Sequence, residues 1–553
     1  MLNVYLDGTR LALSPSQAIG KGGEADVYDI GGGKVLKLFK TAKHPDLVGF
    51  PEQQRLAEHR IAEHQQKLHQ FPSGLPARVI VPEKLAFDTT NKSARVIGYV
   101  MRRVANAEML LYRYAKDSSE RKKVSGNDIL AIFRDMHESV RDVHGRGVVI
   151  GDFNDLNVLV AGHEAYLIDT DSWQFGQFQS MMYTEQFVDP LICAADRSAS
   201  RIVMNAPHSP NTDWYAFAVM LMRAMLCVGP YGGVHQPSDP RKKIAAYERP
   251  LHHMTVFNAE VKYPKPAIPL HVLSDDLLQQ FASMFERDAR GEFPRRLLEN
   301  TRWTTCTACG TEHARVTCPQ CKQTTAAAIQ SVTVVRGAVT ATRIFRSDYL
   351  PQEVIPRIWL IGDRLMFESR YGEEEIGTVL GGQTKFWVGS TMGCGYYHAG
   401  TMQVFFVFDP TRKGINDGVK VAPIPGQITD THVVFAEHQA WMFIMYLFNG
   451  VMMCRALVIS KGGGVLVTTE TRADDESVAW LHGVHGAVAV GALLFVPTDD
   501  GVVRVEREGT NVREVKKFPD TEPFVNASSR LYVGHGGIYV VDIDHQITHL
   551  KFA

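Results

Sequence analysis

The chain has 553 residues, 45% apolar and 22% charged, with a net charge of −1. This is the balance of an ordinary globular protein, with chain enough for about three or four domains and no global field to draw nucleic acid or an anionic membrane. The N-terminal MLNVYLDGTRLALSPS lacks the basic and apolar regions of a secretory signal. The longest apolar run, WYAFAVMLMRAMLCV, is broken by Arg223 and is shorter than the ~20 residues that span a bilayer. It reads as a buried helix, and the expected location is the cytoplasm, with no membrane and no nucleic-acid partner.

In chain order, QAIGKGGEADVYDIGGGKVLKLFK (17–40) reads as strands joined by glycine-rich turns. PEQQRLAEHRIAEHQQKLHQ (51–70) carries strong helix formers and reads as one helix. Strand character returns over 78–104, in RVIVPEKLAF and ARVIGYVMRRV. From 126 to 145, Ile129, Ile132, Phe133, Met136, Val140 and Val143 recur at helical spacing. After 200 the chain reads as mainly helical to about 302, and a cysteine cluster follows at 306–321. Beyond about 328 short β-rich runs alternate with turns. Two of them, GAVAVGALLFVPTDDGVVRVE and FVNASSRLYVGHGGIYVVDI, look like related units, which favours a β-propeller over a sandwich or barrel.

Chemistry concentrates in an ordered set. Gly20, Gly22 and Gly23 form a turn whose backbone could face phosphate oxygens, with Val27 in the strand that follows. Lys37 alternates with apolar neighbours in VLKLF. In GDFNDLNVLV and YLIDTD, Asp152 and Asn157 lie on a loop entering a strand, and Asp169 ends the next strand, so a hairpin brings Asn157 and Asp169 near one another. A carboxylate and an amide oxygen suit Mg²⁺, and Asp152 could take a proton from a hydroxyl or orient it.

This order resembles the protein kinase family over residues of about 15 to 302. The resemblance implies an α+β bilobal fold that binds ATP and Mg²⁺. By position it makes Lys37 the phosphate-holding lysine, Asp152 the base, and Asn157 and Asp169 the metal ligands. Glu58, with Glu63 as competitor, would be the helix glutamate paired with the lysine. Val27 would cover the adenine, Met101 and Arg102 would lie at its edge, and Asp213 in TDWYAFAVM would anchor the catalytic loop. FVDP (187–190) stands where the family has Ala-Pro-Glu.

The departures are specific. Ala25 replaces the third glycine, Ile150-Gly151 replaces the His-Arg before the base, and Asn154 replaces the lysine two residues after it. Thr170-Asp171 follows Asp169 in place of Phe-Gly, with Asp171 read as a solvated turn residue or a further acidic ligand. Ser172, Ser180, Tyr183 and Thr184 offer hydroxyls for autophosphorylation. The leading reading is a Ser/Thr protein kinase. A pseudokinase scaffold and a small-molecule phosphotransferase, which shares the Gly-Asp loop, are the alternatives.

Cys306, Cys309, Cys318 and Cys321 form two CxxC knuckles. Four thiolates favour a closed, structural Zn²⁺ site, with a rubredoxin-type iron as the alternative. His313 between the knuckles reads as solvated. The other cysteines, Cys193, Cys227, Cys394 and Cys454, read as inert core thiols.

The expected organisation is multidomain: a kinase-like domain at 1–302 (N-lobe about 1–103, C-lobe about 104–302), a zinc ribbon at 303–327, and an all-β, propeller-like interaction domain at 328–553. That order, with GDFNDLN and LIDTDSWQF, resembles the bacterial kinase of the tellurium-resistance-associated phosphorylation triad. The resemblance implies a von Willebrand factor A domain protein as substrate and a metal-dependent phosphatase as a further partner, with the β domain as docking surface.

Overall fold

The computed structural model describes residues 2–14, 17–91, 93–116, 118–321, 333–336, 339–344, 355–369, 372–380, 384–399, 402–509, 511–534, 536–543 and 546–552. The chain divides into two compact units. One comprises residues 1–63, 84–100 and 330–553, and the other residues 64–83 and 101–329.

In the first unit, β1 (Leu2–Leu6), β2 (Thr9–Leu13), β3 (Ala18–Lys21), β4 (Ala25–Gly31), β5 (Lys34–Phe39), β6 (Lys84–Phe87) and β7 (Val96–Arg102, which runs two residues into the second unit) form a seven-stranded sheet. Its order is β2-β1-β6-β7-β5-β4-β3. The strand character expected over 78–104 is thus confined to β6 and β7. Side chains alternate across a pleated strand, so Leu36 and Leu38 join Val4, Leu13, Tyr28 and Ala86 in one core. Val35, Lys37 and Phe39 fall on the other face of β5.

Helix α1 (Pro51–Lys67) ends in a 3₁₀ turn at Leu68–Gln70. Ala57, Ile61, His64 and Lys67 form its buried stripe, one residue every three or four. Glu58 lies outside that stripe and is exposed, and Glu63 is half-buried. Glu58 is therefore not placed to pair with the buried Lys37.

The C-terminal part of the first unit is a succession of sheets. Ile358–Ile361, Arg364–Ser369 and Gly372–Thr378 form a three-stranded sheet. Three four-stranded antiparallel sheets follow, each in sequence order, spanning 385–419, 427–472 and 488–518. Thr333–Arg336 and Val339–Ile344 join Ile547–Phe552, Gly537–Val541 and Arg530–Gly534 in a five-stranded sheet. Its core includes Val339, Ala341, Ile538 and Leu550.

The second unit holds α2 (Leu110–Lys116), α3 (Ser118–Lys122), α4 (Gly126–His144), α5 (Pro210–Leu226), α6 (Asp275–Glu286) and α7 (Arg295–Asn300), with the hairpin β8 (Val158–Ala161) and β9 (Glu164–Leu167). The expected apolar stripe of α4 is entirely buried. Nearly every residue of α5 is buried, as its composition requires. Arg223, which interrupts that run, reaches the buried Asp155 at 3.5 Å and lies over the Phe187 ring.

The cysteine segment belongs to this second unit. Trp303 and Asn127 exchange two hydrogen bonds of 3.0 Å, Glu312 accepts from Gly126 N–H at 2.7 Å, and Ala314 N–H donates to Val272 O. A side chain at position 126 would strike the Trp303 ring, with a Cβ only 2.3 Å from it, so glycine at the start of α4 admits the indole. His313 is buried, contrary to its solvated reading, and its Nδ1 accepts from Arg315 N–H. Among the described residues no helix is long and apolar enough to cross a membrane.

Candidate active site

Within the second unit the sequence places Asp152, Asn154 and Asn157 on the loop between α4 and β8. Asp213, fully buried in the first turn of α5, holds that loop from beneath. Its carboxylate accepts from Ile150 N–H at 2.8 Å and Gly151 N–H at 2.9 Å, and His144 Nε2 meets it at 2.8 Å. The Ile150-Gly151 pair has a local cause. Ile150 is buried in the main core. Gly151 is left-handed at φ +81°, and a Cβ there would come within 3.2 Å of the His208 ring.

Asn154 is the centre of a small network. Its amide donates to Asp152 Oδ1 at 3.0 Å, Asp152 O at 3.2 Å and Thr184 Oγ1 at 3.2 Å, while its oxygen accepts from Leu156 N–H. A neutral amide thus stands where the kinase family carries a lysine. Desolvation pushes the half-buried Asp152 carboxyl above its ordinary value. Hydrogen bonds from Thr184 and Asn154 oppose the shift, nearby Asp169 adds to it, and His208 opposes it.

Asn157 Nδ2 donates to Asp152 O at 3.0 Å, which leaves its side-chain oxygen as the atom able to meet a cation. The β8–β9 hairpin does bring Asn157 toward Asp169: Ile168 N–H donates to Asn157 O at 3.0 Å. Asp169 itself is left-handed, at φ 65° and ψ 36°. A non-glycine residue there is uncommon and carries strain of about 1–3 kcal/mol, a cost typical of functional positions. An oxygen donor set of one carboxylate and one amide fits Mg²⁺.

Several residues differ from their expected surroundings. Asp171 is buried and faces His64 of α1, with Nε2 to Oδ2 at 3.8 Å, so it is not a solvated turn residue. Thr170 is buried and donates to Ile80 O. Of the four hydroxyls read as autophosphorylation candidates, Ser180 and Thr184 are buried. Tyr183 donates to Ile202 O, and Ser172 to Asp169 O. Asp189 of FVDP pairs in two-pronged fashion with Arg290, at 2.7 and 2.8 Å. Arg102 is exposed, donating to Ala77 O and lying over Tyr166, and Met101 is half-buried.

In the first unit, Lys37 is buried on β5 with Nζ 5.9 Å from the Tyr99 ring centre, and Val27 is its partner across the β4–β5 pairing. Gly98 allows the neighbouring strand to approach, since a Cβ there would lie 2.2 Å from Lys37 O. Gly20 packs against Val27, and Gly22 is crowded by Ala25 O. Gly23 is different. A Cβ there would meet nothing within 4 Å, and its φ is unremarkable. The fold does not need glycine at that point.

The four cysteines form the one His/Cys/Asp/Glu group among the described residues arranged to hold a metal, with all sulfurs within 4.8 Å of one another. Cys306 and Cys321 sulfurs are 3.5 Å apart, and Cys309 and Cys318 sulfurs 3.6 Å. A tetrahedral ion with bonds of about 2.3 Å needs sulfurs roughly 3.8 Å apart, so the cage fits Zn²⁺. Elsewhere Cys394 and Cys454 are buried, as core thiols should be. Cys193 is half-buried, and desolvation pushes its thiol up to about 12.

No family model matches the chain. Over 285 residues it is 25% identical to protein kinase YegI of Escherichia coli O157:H7, a stretch covering 49% of this chain and 41% of that protein. The chain therefore spans less than half of that relative's length. The similarity supports a distant relationship to a protein kinase.

Sequence reasoning missed the parts played by Thr184 and His208. Thr184 was visible as a hydroxyl before FVDP, but only the fold brings it to Asn154 and Asp152. His208 carries no spacing signal at all.

Proposed function

We propose that the chain is an ATP- and Mg²⁺-dependent Ser/Thr protein kinase whose C-terminal sheets form a propeller that docks a protein substrate. The observation that carries this reading is the loop held by Asp213, on which Asp152 is oriented by Asn154, itself bonded to Thr184, beside Asn157 and the left-handed Asp169. The distant kinase relative supports it. The run of sequential four-stranded sheets, with the first described strands of the region sharing a sheet with the last, supports the propeller.

Bound ATP with Mg²⁺ supplies the transferable γ-phosphoryl group. Lys37 and the backbone around Gly22 and Gly23 would hold its phosphates, and Asn157 Oδ1 with the Asp169 carboxylate would hold the cation. Asp152 accepts the hydrogen bond of the acceptor hydroxyl and takes its proton. Asn154 and Thr184 keep that carboxylate pointing one way. The four cysteines would hold Zn²⁺ as a brace for the helical unit. By the same reading the substrate is a von Willebrand factor A domain protein, with a metal-dependent phosphatase as counterpart.

The test is transfer of labelled γ-phosphate by the purified protein with Mg²⁺, alone and with that candidate substrate, beside Asp169→Ala. Label on protein that disappears with Asp169→Ala is the expected result. Nucleotide binding without any transfer would favour a pseudokinase scaffold, a reading motivated by the neutral Asn154. Transfer confined to a small alcohol would favour a small-molecule phosphotransferase.

A further inference from the structure

Lys40, the residue after β5, is 1% exposed. Lysine is among the residues least often buried, and taking its ammonium out of water costs several kcal/mol unless partners compensate. Three surround it. Its Nζ donates to Gly22 O at 2.5 Å and to Asp46 Oδ2 at 2.7 Å, and lies 3.7 Å from Asp26 Oδ1. His44 sits between the two carboxylates, with Nε2 3.3 Å from Asp26 and Nδ1 accepting from Asp46 N–H. Asp26, Asp46 and His44 are all buried. None of these groups is used by the chemistry described above.

The geometry points to Lys40 as the positioning residue of the phosphate-binding turn. The argument rests on the nucleotide-binding reading of the same loop. Lys40 draws the Gly22 carbonyl inward. A trans peptide is planar, so the Gly23 N–H must point the opposite way, out of the sheet. That N–H has no partner among the described residues, and the space around Gly23 is open. Two further bonds fix the turn: Gly22 N–H to Ala25 O and Lys40 N–H to Glu24 O, both 2.8 Å. Arg60 of α1 holds the Glu24 carboxylate at 2.6 Å. A glycine-rich turn is otherwise free to rotate its peptides, and a buried ammonium removes that freedom at one chosen carbonyl. The ligand class is a nucleoside di- or triphosphate, whose phosphate oxygens accept from outward N–H groups.

The experiment measures calorimetric binding of Mg-ATP and of adenosine to the full chain and to the paired variant Lys40→Met/Asp46→Asn, which removes one charge of each sign. Losing an oriented hydrogen bond to a charged phosphate should weaken Mg-ATP between about tenfold and a hundredfold. Adenosine, which lacks phosphates, should bind within about twofold of wild type. Gly23→Pro removes the N–H while leaving the charged cluster intact, and should reproduce the same split should the paired variant fail to fold. Unchanged Mg-ATP affinity in both variants overturns the proposal. So does an equal loss for both ligands, which would mark the cluster as a plain fold element. Wild-type protein that binds neither ligand overturns the nucleotide reading, and this proposal with it.

Discussion

At the scale of single residues, the loop that carries Asp152 is held by the carboxylate of Asp213 beneath it. Asp213→Ala would leave Ile150 N–H and Gly151 N–H buried without a partner and remove the acceptor for His144. Each orphaned group costs about 1–3 kcal/mol, so a total near 4 kcal/mol and a fall in melting temperature of roughly 10 °C are expected for a unit of this size. Asp213→Asn keeps one carbonyl oxygen and should fall less. A thermal scan of the two variants checks this ordering, and equal stability of wild type and Asp213→Ala would refute it. Thr184 acts one step nearer the chemistry. Thr184→Val keeps the shape and deletes the oxygen that holds Asn154, the amide that orients Asp152. It should lower kcat by about tenfold or more while leaving KM for ATP unchanged, and Thr184→Ser should recover most of the rate. A loss seen only in KM would mean that Thr184 serves binding instead.

At the scale of elements, α4 is legible in the sequence because its apolar period is strong, yet its two ends depend on partners far along the chain. Near its middle, His137 Nε2 meets Phe293 O at 2.7 Å while Nδ1 is buried with no hydrogen-bond partner. Desolvation therefore holds its folded-state pKa below the ordinary value near 6.5. The neutral ring suits the fold, so this contribution is complete above about pH 6.5 and is lost as pH falls through the depressed folded value. His137→Gln keeps a donor for Phe293 O and cannot take up the proton. Its melting temperature should decline less than that of wild type between pH 7 and pH 5, and parallel declines would contradict the assignment. At its N-terminus α4 is capped by Ser125 and meets the cysteine segment through Gly126 and Asn127. Purified protein should carry one zinc per chain by metal analysis. Chelation should lower its melting temperature, because Trp303 and Glu312 lose the hairpin that holds them against α4. Protein with no bound metal and an unchanged melting temperature in chelator would refute that role.

At the scale of the molecule, the ordered motifs were readable because each depends on local chemistry: glycine at a turn, a hairpin joining Asn157 to Asp169, paired CxxC knuckles. The less readable parts are those set by packing. Glu58 fitted a spacing, but the buried stripe of α1 runs through Ala57, Ile61 and His64 instead. Asp171 looked like a turn residue, and only the fold reveals that it is enclosed beside His64. The grouping of the cysteine segment with the helical unit depends on Trp303 finding the gap at Gly126, a contact across 177 positions of chain that no local pattern records. The same holds for the C-terminal sheets, whose strands were legible singly but whose pairing of early with late strands was not. Val339–Ile344 pairs residue for residue with Ile547–Phe552, joining segments some 200 residues apart. Leu550 and Ile547 are buried in that sheet with Val339, Ala341 and Val540. Deleting residues 547–553 would strip the strand from between two neighbours and leave both with unpaired edges and exposed apolar faces. Limited proteolysis should then cut within 330–553 at protease levels that leave the full chain intact, while the helical unit, whose core shares none of these residues, keeps its resistance. Leu550→Asp should do the same without shortening the chain. If both variants resist protease as well as wild type, the five-stranded sheet does not hold this region together.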